Sequence, residues 1–228
     1  MIIAAIQGAL RSAADWLTDL AGRPVRRRSA DRQYLEHEVL ADMAQRADVR
    51  RILFVGCARY TRHYESMFAH AEYWTIDPDP NRRRWAARRH VVDRLERLGF
   101  HRPASYFDLI VCNGVLGWGL NDRDDAETAF AACYFALRPG GQLIVGWNDV
   151  RPRNAVRPGS LRSLRRFVRE PDKAGRPSPV RIGVRHRHVF EFYRKPGDPG
   201  AHAESVVGAS GAGAQVDSGL QAPSTHSS

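Results

Sequence analysis

The chain has 228 residues, of which 43% are apolar and 26% charged. That length suits one α/β domain with extensions, and no run reaches the roughly 18 apolar residues that a membrane-spanning helix needs. The net charge of +10 would favour nucleic acid, anionic lipid or phosphorylated partners. Lys173 and Lys195 are the only lysines among 35 basic residues, however, an arginine bias that genome-wide coding composition explains as readily as a binding surface.

The amino terminus reads Met-Ile-Ile-Ala-Ala-Ile, without a basic n-region, and its apolar run is broken by Gln7 and Arg11. No signal peptide is expected there. Cys57, Cys112 and Cys133 lie unpaired in apolar runs, the pattern of buried free thiols in a reducing, cytoplasmic setting. No Cys-x-x-Cys or His-x-x-x-His spacing suggests a metal site. His186 and His188 have no third partner nearby and read as surface histidines.

In chain order, the spacing of Ile3, Ile6, Leu10, Ala13, Leu17 and Leu20 predicts a helix over 2–20. Its opposite face is not basic, so it is expected to pack on the domain or on a second copy, as in a homodimer. An arginine-rich break follows at 22–29, then a second helix at about 31–47 carrying Leu35, Val39 and Met43. These elements make residues 1–50 a helical extension. From Arg51 short apolar runs alternate with helical patterns. The runs are 52–55, 73–76, 90–92, 107–112, 142–147 and 188–193. The clearest helix starts near Asp122, with Ala126, Ala129, Phe130, Cys133, Tyr134 and Leu137 on one stripe and Pro139-Gly140-Gly141 beyond it. Such alternation predicts an α/β, doubly wound, mostly parallel sheet with helices on both faces. Residues 150–180 look loop-like around one short helix at about 160–169. Residues 197–228, rich in Gly, Ala, Ser and Pro, are expected to be a disordered tail beyond a domain at 51–196.

In an open parallel sheet, ligands bind beyond the carboxyl ends of the strands. After the first expected strand stands Gly56-Cys57-Ala58-Arg59-Tyr60-Thr61, where glycine permits a tight turn. After the second stands Asp77-Pro78, 21 residues beyond Gly56; an acid there can accept two hydrogen bonds from a ribose diol. Asp93 follows the third strand, Asn113-Gly114 and a glycine-rich loop around Trp118 the fourth, and Asn148-Asp149 the fifth. Helix caps suit Asp77 and Asp93 as well, and Trp118 suits plain core.

On these residues the stretch from Arg51 to Lys195 resembles the class I S-adenosylmethionine-dependent methyltransferases. Ile52-Leu53-Phe54-Val55-Gly56-Cys57 is similar to the family's first strand and glycine turn. Thr75-Ile76-Asp77 is similar to its second strand, whose acid binds ribose hydroxyls. His90-Val91-Val92-Asp93 resembles the third strand, with its acid by the adenine, Leu137-Arg138-Pro139-Gly140-Gly141 resembles the turn before the fifth, and His188-Val189-Phe190-Glu191-Phe192-Tyr193 is similar to the family's last strand, which implies an antiparallel last strand here. The resemblance implies S-adenosylmethionine as cofactor, held by Gly56, Cys57, Tyr60, Thr61, Asp77, Pro78, Asp93, Asn113 and Gly114. One departure concerns the first loop. The family usually places acid, apolar, Gly, x, Gly, x, Gly there, whereas this chain has Phe54, Val55, Gly56, Cys57, Ala58, Arg59 and Tyr60. Tyr60 or Thr61 is the expected replacement contact, and loss of activity, leaving a binding protein, is the alternative reading.

Methyl transfer needs in-line alignment more than acid–base chemistry, so no fixed catalytic set is expected. Asp149, Asn113, Asn148 and His63 are the candidates if the acceptor needs a base. The fourth strand ends Cys-Asn-Gly-Val rather than Asn-Pro-Pro-aromatic, which favours a small-molecule acceptor over nucleic acid. A nicotinamide dehydrogenase would need a richer glycine turn, and the short-chain type a Tyr-x-x-x-Lys pair that neither lysine provides.

Overall fold

The computed structural model describes residues 29–150, 154–183 and 187–197. The expected helix at 2–20, its dimer contact, and all but the first residue of the expected tail fall outside them, as does His186. Eight strands form one sheet: β1 (Arg51–Val55), β2 (Glu72–Ile76), β3 (Arg89–Val91), β4 (Phe107–Asn113), β5 (Leu137–Asn148), β6 (Val168–Glu170), β7 (Val180–Ile182) and β8 (His188–Arg194). Their order is β3-β2-β1-β4-β5-β8-β6, with β7 also on β8. The first five strands pair in parallel, while β8 runs antiparallel to β5, β6 and β7.

The sheet is covered on both faces, which explains why its central strands are apolar over Ile52–Val55 and Leu109–Cys112. On one face Leu53, Val55, Ile110, Cys112, Leu143 and Val145 join a core with α5 (Arg123–Ala136). On the other, Ile52, Phe54, Leu109, Val111 and Ile144 pack beneath the amino-terminal helix. Asp122 caps α5, accepting the N–H groups of Asp124 at 2.8 Å and Asp125 at 3.2 Å, and the buried stripe is Ala126, Ala129, Phe130, Cys133 and Ala136.

The amino-terminal helix joins α1 (Ala30–Gln33), a π-helical stretch (Tyr34–Leu40) and α2 (Ala41–Gln45). Leu35 and Leu40 are fully buried, with Val39 and Met43 beside them. Buried polar groups fix its start. The Arg32 guanidinium donates to the Tyr64 hydroxyl at 2.9 Å, and that hydroxyl donates to Glu36 at 2.8 Å. Its far end reaches β5, where Arg46 donates to Gln142 at 2.6 Å.

Some expectations need correction. After β1, where a helical pattern should follow the strand, the chain forms only α3 (Tyr64–Met67) behind a 3₁₀ turn at Arg59–Thr61. Phe68 leaves helical geometry in order to bury beside Tyr73, the two rings stacking at 5.6 Å. Between 150 and 180 the short helix resolves into 3₁₀ turns at Pro158–Ser160 and Ser163–Arg166, and Val168–Glu170 is a strand. Its pairing with Phe192–Arg194 overrides local propensity. α4 (Leu98–His101) follows β3. No helix among the described residues is long and apolar enough to cross a membrane.

Candidate cofactor and acceptor site

The carboxyl ends of β1 to β5 form one edge, and the polar residues collect there. Gly56 takes a left-handed φ of +85° where β1 turns, and its N–H donates to Ile76 O at 2.8 Å. Only glycine holds that conformation without strain. The next N–H, of Cys57, donates to Asp77 Oδ2 at 2.7 Å, while Asp77 Oδ1 accepts from Asp79 N–H at 3.0 Å. Asp77 is 5% exposed. It is not the cap of the next turn: Asp79 fills that role, accepting from Asn81 N–H at 2.9 Å. Pro78 is exposed at the rim.

Arg82 spans the two turns. Its Nη1 donates to Cys57 O at 2.9 Å and lies 3.9 Å from Asp77 Oδ2. Nothing in the Asn81-Arg82-Arg83-Arg84 run marks this one arginine out in the sequence. The rest of the loop is held internally. The Thr61 hydroxyl donates to Ala58 O at 2.9 Å and accepts from Ala58 N–H at 3.0 Å. The Tyr60 ring lies beneath Arg32, 4.5 Å from guanidinium carbon to ring centroid. Cys57 is buried, which pushes its thiol up to about 12. His63 packs edge-on against Tyr64, with Nε2 3.8 Å from Glu36, and so belongs to the helix contact.

Asp93 lies past β3, bonded to His101 at 2.7 Å, and that hydrogen bond holds its carboxyl below the usual carboxylate range. It does not cap the turn at Leu95–Arg97, which starts from Arg94. Trp118 is 62% exposed and therefore not core. Asn113 closes β4 with its Oδ1 2.9 Å from His188 Nε2, both residues buried. Burial of His188 corrects the surface expectation. Gly146 makes room for the pair, since a Cβ there would stand 1.8 Å from Asn113 Oδ1. Gly114, at φ +73°, has open space where a Cβ would point, and Val115 reaches over Gly56. Asp149 is enclosed by arginines: Arg181 at 3.0 Å, Arg157 at 3.3 Å and Arg187 at 3.8 Å. Both of its oxygens are engaged. Asn148 pairs with His188 across the sheet.

A cleft of about 260 Å³ lies at the opposite edge, between Asp42, Met43, Arg46 and Gln142, Phe192, Arg194. It sits by the amino end of β5's parallel run, away from the strand ends that bind ligands in such sheets.

Strand order 3-2-1-4-5 with an antiparallel strand beside β5, a glycine turn after β1 and an acid after β2 is the arrangement of the Rossmann-like methyltransferase fold. Residues 53–145 match the family model described as a methyltransferase domain. Comparison with curated proteins gives no match. Among solved structures, the chain is similar to a TehB-like SAM-dependent methyltransferase from Corynebacterium glutamicum, with 21% identity, TM-score 0.54, and 83% of this chain and 98% of that one covered. It is also similar to the N-methyltransferase NodS from Bradyrhizobium japonicum, with 21% identity, TM-score 0.52, and 69% and 92% covered. A third is the 1,6-didemethyltoxoflavin-N1-methyltransferase of Burkholderia thailandensis, with bound 1,6-didemethyltoxoflavin and S-adenosylhomocysteine, at 17% identity, TM-score 0.50, and 85% and 88% covered. At these identities the likeness is one of fold.

Proposed function

We propose that the protein transfers a methyl group from S-adenosylmethionine to a small-molecule acceptor, with Asp77 as the chief cofactor-binding residue. The observation that carries this is the buried Asp77 carboxylate beside the Gly56 turn. Each of its oxygens accepts one backbone N–H, and a carboxylate offers about four acceptor sites. Capacity for two ribose hydroxyls therefore remains. The left-handed turn at Gly56 and the open space at Gly114 fit a ligand lying along the same edge. Asp93 stands on the adenine side in this reading, and Asn113 on the acceptor side. When bound, S-adenosylmethionine supplies an electrophilic methyl carbon; the chain's part is to align the acceptor and exclude water. Asn113, locked by His188, is a rigid hydrogen-bonding group for that purpose. Asp149 does not serve as a free base, because guanidinium groups hold both its oxygens. The Cys-Asn-Gly-Val end of β4 supports a small acceptor.

Calorimetry with S-adenosylmethionine, S-adenosylhomocysteine and NAD tests the reading. Binding of the first two and not the third is expected. Charge-assisted bonds are worth about 1.5–3 kcal/mol each, so losing about 2–4 kcal/mol in Asp77→Ala weakens affinity roughly 30- to 1,000-fold. Asp77→Asn should fall between, and melting curves separate this from loosening of the turn. Equal binding by wild type and Asp77→Ala would end the ribose assignment.

One observation favours a second reading, a methyltransferase fold that binds without catalysis. Arg82 bridges Cys57 O and Asp77 over the turn. Its side chain is 46% exposed, so it is free to swing out. If wild type fails to bind S-adenosylhomocysteine while Arg82→Ala binds it, Arg82 closes the site in this chain and the second reading gains.

A further inference from the structure

Asp149 follows β5 directly, on the acceptor side of the edge in the reading above. Its side chain is 9% exposed, whereas those of Arg157, Arg181 and Arg187 are 54%, 58% and 65% exposed. Three guanidinium groups thus converge on one carboxylate and leave two positive charges in excess. Among the described residues no other carboxylate pairs with any of the three. Charge neutralisation of Asp149 would require one arginine; three, each with its outer face in water, form a set of donors suited to a planar or tetrahedral oxyanion.

Arg187 adds a second, independent feature. It is one of two non-glycine residues among those described with positive φ, at +43°, a conformation unfavourable for an L side chain. Its carbonyl accepts the Asp149 N–H at 3.0 Å, so the strained residue is tied to the carboxylate it faces. Next in the chain is His188, bonded to Asn113. The arginine cluster therefore adjoins the polar group at the end of β4.

We propose that Arg157, Arg181 and Arg187, gathered by Asp149, form an anion-binding site that anchors an acceptor bearing a carboxylate or phosphate group. The proposal rests on the small-molecule methyltransferase reading for the word acceptor; the anion site itself stands apart from it. Asp149 positions the arginines and competes with the anion. That competition gives the proposal an unusual sign, because removing the acid's charge should tighten anion binding.

The test uses the full chain and two probes, inorganic phosphate followed by phosphorus NMR and malonate followed by calorimetry, at fixed ionic strength. Arg181→Gln and Arg187→Gln should each weaken binding about tenfold, a loss of about 1.4 kcal/mol, and Asp149→Asn should strengthen it several-fold. Arg165→Gln, an exposed arginine on a different 3₁₀ turn, should leave it unchanged. Preference for phosphate or for malonate then distinguishes the two anion sources. Melting curves accompany every variant, and the two exposed arginine variants keep the test valid if Asp149→Asn unfolds. An equal loss in Arg165→Gln would show a diffuse basic surface and overturn the site. So would wild-type affinities in both arginine variants, unchanged or weaker binding in a folded Asp149→Asn, or tighter binding of a single-stranded oligonucleotide that all three arginine variants reduce alike. S-adenosylhomocysteine titrated on the same samples separates the two failures: its binding without anion binding removes this inference alone.

Discussion

Replacing Gly146 with alanine tests the junction of β4, β5 and β8 at one atom. Gly146 pairs with Asn113 on one side and Phe190 on the other. An added Cβ would stand 1.8 Å from Asn113 Oδ1, 2.8 Å from its Cγ and 3.0 Å from His188 Nε2. The Asn113 side chain must move, and its bond to His188 must break, in a region where both residues are buried. Overpacking costs about 1–3 kcal/mol, and orphaning a buried hydrogen-bonding pair costs about 1–3 kcal/mol more. The gain from restricting the unfolded chain offsets only about 0.4–1 kcal/mol. A net loss of about 3 kcal/mol lowers the melting temperature of a domain this size by about 6–12 °C. Thermal denaturation by circular dichroism measures it. Asn113→Ala alone should also destabilise, but the double variant should be more stable than the two losses added together, because the shortened side chain vacates the space the new methyl needs. A Gly146→Ala protein melting within about 2 °C of wild type, a shift worth no more than about 1 kcal/mol, would refute the packing of Asn113 over Gly146.

Tyr64→Phe removes the hydroxyl that accepts from Arg32 and donates to Glu36, which should cost about 1–3 kcal/mol, or about 2–12 °C in melting temperature; an unchanged melt would mean the helix is anchored elsewhere. All three cysteines are free and buried, and burial raises each thiol, Cys57 and Cys112 to about 12. A thiol reagent should therefore label none of them in the native protein at pH 8 and all three in denaturant. Asp172 provides a pH test. Burial disfavours its charge, but hydrogen bonds from Arg176 and Tyr34 outweigh that and hold its carboxyl below the usual carboxylate range. A lowered folded pKa means stability present above the unfolded value of about 3.9 and lost as the pH falls through the folded one. The melting-temperature gap between wild type and Asp172→Asn should hold from pH 7 to 5 and close below about 4; a gap that persists on acidification would contradict the assignment.

What the sequence made legible was whatever is written locally. Phe107–Asn113 and the core of β5 are apolar on both faces, a pattern that only a doubly covered strand needs. β6 and β7 were illegible because each has three residues, arginine at its centre, and a partner strand supplied from elsewhere in the chain. The π-helical turn at Tyr34–Leu40 has no sequence mark that we can identify. Gly56 and Asp77 declared themselves by standing at strand ends. Arg82 and His188 did not, because their roles come from contacts across elements. His188 is preceded by His186 and Arg187, a polar run resembling surface, and it is buried because Gly146 leaves the space that its ring and Asn113 fill.

The direction of the amino-terminal helix has a practical consequence for anyone handling the protein. Ala30 begins the helix close to Gly183, where an added Cβ would meet its own at 3.7 Å, and Arg32 lies over Tyr60 at the ligand edge. The helix then runs away, towards Gln142. A group joined directly to Ser29, with residues 1–28 removed, would be tethered beside the edge that carries Gly56 and Tyr60 rather than behind the sheet. A handle joined to Ser29 in that shortened chain would stand as a doorkeeper in binding assays, whereas one joined directly to Lys195 would leave from the opposite rim, where Lys195 N–H donates to Gly141 O.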